Sequence, residues 1–216
     1  MTEGSVHGEI DLDDLTLGDL DEIVAVHQAA FPDSELSRLG PETVRRQYRW
    51  QLTGPHDLTA LAARSDGALV GFLLGGVFRG STAGFVKDEK WFLARQVLRH
   101  PGVAVRASGR RILAIAARML VRRRGAAPEA PLRVPDRSFG VLVVAVDPSA
   151  QRLGVGAALL AGAEDRARAA GFERMHLTMH PENVAAQSFY TRLGWRHLAV
   201  AGDDANQRLI GKELVD

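Results

Sequence analysis

Residues 139–170 constrain what this chain can fold into more than any other stretch. Val141, Leu142, Val143, Val144, Ala145 and Val146 form an uninterrupted apolar run, the pattern of a strand buried on both faces. Asp147-Pro148-Ser149 ends it, because proline donates no amide and fixes φ. Gln151-Arg152-Leu153-Gly154-Val155-Gly156-Ala157 then leads straight into a helix expected to stop near Gly171. A strand, a glycine-bearing turn and a helix N-terminus make an anion site, since unpaired amides point outward and the macrodipole favours negative charge. Gly154 and Gly156 would let a phosphate approach backbone that a Cβ would shield, and Arg152 adds a cation. The stretch reads as a pyrophosphate cradle. It is not a P-loop, since no Gly-Lys-Ser/Thr follows the glycines, and it lacks the third glycine of a dinucleotide fingerprint. Two glycines before a helix are also ordinary turn chemistry, so the weight falls on the residues downstream of the helix.

A strand is expected over 174–179, where Met175, Leu177 and Met179 alternate with Arg174, His176 and Thr178. After it comes Asn183-Val184-Ala185-Ala186-Gln187-Ser188-Phe189-Tyr190-Thr191-Arg192-Leu193-Gly194-Trp195. The pairing of Gln-Arg-x-Gly-x-Gly-Ala with a downstream Asn-x-x-Ala-x-x-Phe-Tyr-x-x-Leu-Gly-Trp, in this order and spacing, resembles the GNAT superfamily of acetyl-CoA-dependent N-acetyltransferases. The resemblance implies an α/β fold of the α+β type: a mixed, mostly antiparallel sheet of six or seven strands with helices on both faces. One domain over 1–216 is expected, carrying a basic helical insertion at about 79–138.

The 216 residues hold no cysteine, which excludes disulfides, thiolate metal sites and a cysteine nucleophile; no metal is expected. No basic n-region precedes an apolar core at the N-terminus, so no signal peptide is read and a cytoplasmic protein is expected. The net charge of +1 hides an asymmetry. Residues 1–40 carry ten acidic side chains and one basic, Arg38, whereas residues 90–124 carry ten basic and no acidic ones.

Along the chain, 1–8 reads as a leader and 9–12 as a weak strand. Thr16 and Asp19 imitate a capping box ahead of a helix to Ala30, with Leu20, Ile23, Val24 and His27 on one face. His27 reads as a core or pocket-edge histidine. A loop follows over 33–39, then a helix from Gly40-Pro41 to Leu52 with Val44, Tyr48 and Leu52 inward. Strands over 58–64 and 68–78 are joined by Ser65-Asp66-Gly67, a hairpin signal. Gly75-Gly76 marks a bulge or a close backbone approach.

The insertion suggests a helix around Trp91, Phe92, Ala94, Val97 and Leu98, stopped at His100-Pro101. A second follows around Ile112–Leu120, ending in Arg122-Arg123-Arg124, and 126–135 reads as a linker. Neither apolar run approaches a membrane span. Three readings compete: a helical lid packed on the domain or on a second subunit of a homodimer, an interfacial element on an anionic bilayer through 90–124, or a basic surface for a phosphorylated acceptor or polyanion. Nucleic acid is not the expected partner. The final strands are read over 195–200 and 207–214, with a turn at 203–206.

The resemblance further implies that the amides of Gln151, Arg152, Leu153, Gly154, Val155, Gly156 and Ala157 hold the pyrophosphate of acetyl-CoA. The backbone of Val144, Ala145 and Val146 would pair with its pantetheine amides where the strands over 139–146 and 174–179 splay. Asn183 and Ser188 would touch the cofactor, and Tyr190 would be the general acid for the departing thiolate. Some family members place a glutamate base on the strand equivalent to 139–146, and this one carries none. His180 is the nearest titratable group, with Glu35, His27 or a solvent relay as alternatives. Asp33, Glu35 and Tyr48 are candidates to touch the acceptor. The expected activity is acetyl transfer to a primary amine of a small molecule; Ala30-Phe31-Pro32, Leu36-Ser37-Arg38-Leu39-Gly40-Pro41 and the insertion loosely resemble acetyltransferases acting on amino sugars in surface-polysaccharide pathways, and that resemblance implies an amino sugar as acceptor. Two alternatives stay open: a peptide or protein amine as acceptor, and a non-catalytic CoA-binding protein that docks a membrane or polyanion.

Overall fold

The computed structural model describes residues 9–77, 81–100, 137–198 and 208–214. Their centre is a seven-stranded sheet in the order β1-β2-β3-β4-β5-β7-β6. The strands are β1 (Asp11–Asp14), β2 (Asp57–Ser65), β3 (Ala68–Val77), β4 (Ser138–Val146), β5 (Arg174–Met179), β6 (Arg196–His197) and β7 (Arg208–Glu213). Every pairing is antiparallel except β4 with β5. The helices are α1 (Leu20–Ala30), α2 (Glu35–Arg38), α3 (Pro41–Thr53), α4 (Ser81–Asp88), α5 (Lys90–Arg99), α6 (Val155–Ala169) and α7 (Val184–Arg192).

Strand alternation divides the core into two layers. Leu61, Leu73, Phe139 and Met175 face α6 and the flank of α7, together with Leu159, Leu160 and the fully buried Trp195. Ala62, Phe72, Leu74 and Ala145 face α1 and α3, against Ile23, Val24, Val44 and Tyr48. The Thr16–Asp19 capping box is present at the α1 entry, and Asp66 and Gly67 both take positive φ in the β2–β3 hairpin.

Several expectations change. Segment 33–39 contains α2, because Ser34 caps it by accepting from the Ser37 amide. The β4 run is not buried on both faces. Leu142 is 42% exposed, since the register with β3 skips it and so turns it out as a bulge opposite Leu74 and Gly75. Gly75 and Gly76 are both close approaches: a Cβ would meet the Phe139 ring at 2.3 Å on the first and the Asp57 carbonyl at 2.0 Å on the second. The insertion begins with α4, which the sequence did not suggest, then α5 as expected. Phe85, Val86 and Leu93 bury against Trp50 of α3 and Phe92. Trp50 donates to Asp88 at 3.0 Å, and Arg46 binds Glu89 at 2.8 Å while lying 4.2 Å above the Phe92 ring. This half of the insertion therefore packs on the fold through Phe85, Val86, Phe92 and Leu93, while Trp91 and Leu98 are left exposed. The expected helix around 112–124, the linker over 126–135, the leader over 1–8 and the turn at 203–206 lie outside the described residues. No described helix is long and apolar enough to cross a membrane.

Candidate functional site

β4 and β5 pair only at Ser138–Arg174, Phe139–Met175 and Gly140–His176, and then separate. Beyond Gly140 one edge of β4 borders a wedge-shaped gap. On its other edge, Asp147 N donates to Val70 O at 2.9 Å. In an antiparallel ladder this makes Gly71–Val146 and Leu73–Val144 the non-hydrogen-bonded pairs, so the main-chain groups of Val144 and Val146 face the gap while those of Ala145 bind β3. The Val146 carbonyl accepts from the Gln151 side-chain amide at 3.2 Å. Val144 thus presents an N–H and a C=O, and Val146 an N–H, to whatever fills the gap.

The strand end is built as the sequence suggests. Asp147 accepts from the Ser149 amide and hydroxyl, which cap the short 3-10 turn Pro148–Ala150, and the Ser149 contacts hold its carboxyl below the usual range. Arg152 takes φ 65 and Gly154 φ 89, which bend the chain into α6. The first bond at that end runs from Ala158 N to Gly154 O at 2.9 Å, so the amides of Val155, Gly156 and Ala157 lie ahead of it, free to bind an anion. Residues 151–154 are exposed, while Val155 is fully buried in the core and pins the turn. The two glycines are not equivalent. A Cβ on Gly154 would meet nothing, and the residue serves its backbone angle. A Cβ on Gly156 would lie 3.3 Å from the Phe189 ring, and this glycine lets α7 approach α6.

α7 carries the other predicted groups. Asn183 is its N-cap, accepting from the Ala186 amide at 3.0 Å and leaving its own amide group exposed. Ser188 is exposed and Tyr190 half-buried, the Tyr190 ring packed edge-on to Phe189 and Trp195. Burial pushes its phenol up to about 12. His180 stands exposed just past β5, its Nδ1 accepting weakly from the Glu182 amide at 3.4 Å.

On the other face, Asp33 is exposed and paired with Arg38, and Glu35 sits half-buried on the first turn of α2. Tyr48, expected among the residues that touch the acceptor, is instead in the core, 4% exposed, against Phe72 and His27. Its hydroxyl lies 2.8 Å from His27 Nδ1, and His27 Nε2 lies 3.2 Å from Ser34 Oγ. Ser34 donates to Ser37, which donates to the Phe31 carbonyl. Because Ser34 has spent its proton, Nε2 must donate to it and Nδ1 must accept from Tyr48. His27 is therefore neutral, and burial holds it down to about 4. His176 shows in the sequence only as part of a strand's polar face; the glycines at 140 and 211, its cross-strand neighbours, are the signal that singles it out.

The family model of GNAT acetyltransferases matches residues 20–195, and the chain belongs to that family. Over 70 residues it is 41% identical to a mycothiol acetyltransferase of Beutenbergia cavernae, a match spanning 32% of this chain and 24% of that relative. Its fold is similar to the PaiA N-acetyltransferase of Thermoplasma acidophilum, solved with coenzyme A (TM-score 0.58, 14% identity, 95% of this chain and 99% of that one). It is also similar to the ribosomal-protein-S18-alanine N-acetyltransferase of Escherichia coli (TM-score 0.56, 15% identity, 95% and 94%).

Proposed function

We propose that this protein moves an acetyl group from acetyl-CoA to a primary amine of a small molecule, an amino sugar among the candidates, by direct attack of the amine on the thioester. The observation that carries the reading is the continuous path from the amides at the start of α6 to the main-chain groups of Val144 and Val146 that face the gap. The amides of residues 152–157, with Arg152, hold the pyrophosphate. Val144 and Val146 pair with the pantetheine amides as β5 would have done, whereas the main-chain groups of Ala145, expected from the sequence to join them, are turned to β3; Asn183 and Ser188 border the cofactor from α7. The thioester is the activated acyl donor, so no covalent nucleophile is required of the chain.

Tyr190 supplies the proton that the departing sulfur needs. With its phenol raised to about 12 by burial it remains protonated at any working pH, and it is placed to donate to the sulfur as negative charge develops there. Asp33 and Glu35, on the loop and first turn between α1 and α3, border the acceptor's approach. The partial likeness to an enzyme named for mycothiol supports a small-molecule acceptor over a protein.

Calorimetric titration with acetyl-CoA, desulfo-CoA and longer acyl-CoAs tests the cradle, and CoA release with nucleotide-linked amino sugars and short peptides tests the acceptor class. Micromolar acetyl-CoA binding with turnover of an amino sugar is expected. Absence of binding to every CoA species would overturn the assignment of this site, and turnover confined to peptides would move the acceptor to the protein class.

A further inference from the structure

The proposed reaction leaves one role without a residue, since something must take the proton of the attacking amine. β4 carries no carboxylate, and His180 stands in solvent past the end of β5. We propose that His176 accepts the amine proton at the vertex of the β4–β5 gap, with Ser138 as the residue that positions its ring. The proposal rests on the acetyltransferase reading of the site.

His176 is the partner of Gly140 in the last pair before the strands part. Met175, Leu177 and Met179 enter the core beneath α6, so alternation sends His176 out of the opposite face. Tyr190 packs against the α6-side core, so the two groups flank the gap from its two sides. The ring can lean over β4 because position 140 has no side chain: a Cβ there would lie 3.2 Å from both Cε1 and Nε2. The other cross-strand neighbour is also a glycine, Gly211, covered by Leu198. Ser138 Oγ lies 2.7 Å from Nδ1. With Nδ1–H donated to Ser138, Nε2 keeps its lone pair. Burial holds His176 down to about 4, so the ring is neutral at physiological pH. The charged side chains on this face of the neighbouring strands are Arg174 and Glu213, 3.6 Å from each other, and Arg196 across Gly211.

Reach agrees with this placement. A pantetheine arm has about twelve chain atoms, as many as four extended residues, or ~13 Å. Laid along β4 from a cradle beside Val146, it ends near the Leu142 bulge, next to the vertex. There the amine nitrogen forms its bond to the carbonyl carbon, the C–S bond breaks, and its electron pair leaves on sulfur. One N–H proton passes to His176 Nε2 and the sulfur takes one from Tyr190. Return of a proton from His176 to Tyr190 through water restores both groups, and the sum is amine plus thioester giving amide plus thiol.

Two measurements test this. In the full chain with 15N-labelled histidine, ring NMR is expected to show His176 as the Nδ1–H tautomer with a bare Nε2 down to about pH 5, and a tautomer mixture in Ser138→Ala. With acetyl-CoA and glucosamine, n-butylamine or trialanine as amine probes, His176→Gln is expected to lower kcat by about 100-fold or more at unchanged KM for acetyl-CoA. Its rate should climb with pH as the free amine fraction grows, and Ser138→Thr should restore what Ser138→Ala loses. A protonated Nε2 in the wild type overturns the His176 role whatever the acceptor, as does a His176→Gln variant within a few-fold of wild-type kcat. Failure of the wild type to bind acetyl-CoA overturns the acetyltransferase reading of the site itself, and His176 with it.

Discussion

Gly154 and Gly156 look interchangeable in the sequence and differ in the structure, so their substitutions should fail differently. Gly154→Ala puts a Cβ on a residue at φ 89, a strain of about 1–2 kcal/mol at the turn that aims the α6 amides. The expected result is a roughly tenfold weaker acetyl-CoA affinity by calorimetry with a small loss of Tm. Gly156→Ala presses on Phe189 at 3.3 Å and so displaces α7. Because Tyr190 rides on that helix, kcat should fall while acetyl-CoA affinity changes little. Tyr190→Phe isolates the hydroxyl: the ring contacts with Phe189 and Trp195 remain, and kcat should drop about 100-fold with binding intact. A Tyr190→Phe enzyme that turns over at the parental rate would remove Tyr190 from the proton path.

At the scale of elements, α1, α2 and α3 are held in register by the directed chain Tyr48 to His27 to Ser34 to Ser37 to the Phe31 carbonyl. Tyr48→Phe leaves the His27 Nδ1 acceptor buried and unpaired, and should lower stability by about 1–3 kcal/mol in urea unfolding. An unchanged midpoint would mean that water reaches His27. The α4–α5 pair is a separate unit resting on Trp50, whose ring fills the space above Gly84. Trp50→Ala should free α4 and α5 to exchange amide hydrogen rapidly while the sheet stays protected; equal loss of protection throughout would show that the unit is integral to the core. Legibility in the sequence divides along the same lines. The β4 strand, the cradle and α7 are written locally, in consecutive residues, and so were legible. The bulge at Leu142 and the proximity of Ser138 to His176 arise from register between strands distant in sequence, which no local pattern carries. Four-residue α2 rests on one serine cap, and α4 offers only Phe85 and Val86 as buried markers, too few to show a helical period.

Across the whole molecule, the acidic first forty residues are met by arginines from elsewhere in the fold. Arg64 of β2 binds Asp13, Asp19 and Glu22, Arg166 of α6 binds Asp14, and Arg45 of α3 binds Asp21. The more exposed of these pairs individually contribute little, Arg64–Asp19 being the sheltered one; alongside His56, which burial also lowers, the pH response of stability is carried by two neutral histidines, His27 and His176. Burial lowers both from an ordinary 6.5 to about 4. Between those values the unfolded chain binds protons that the native fold refuses. The stability these residues contribute is therefore complete above about pH 6.5 and declines as pH falls toward 4. The slope reaches about 1.4 kcal/mol per pH unit for each histidine. Below that window the carboxylates take over. Burial works against ionising Asp19, yet the Thr16 amide and Arg64 keep its carboxyl below the usual range, and Ser149 does the same for Asp147; their contribution is lost only as pH falls through those lowered values. Urea midpoints at pH 7.5, 6.5, 5.5 and 4.5 should thus fall steadily from neutrality, and the fall should be shallower in His27→Gln at the same pH values, even though that variant starts from lower stability. A midpoint that stays level from pH 7.5 to 4.5 would mean that both rings accept protons inside the fold, which for His27 the bonds to Tyr48 and Ser34 oppose.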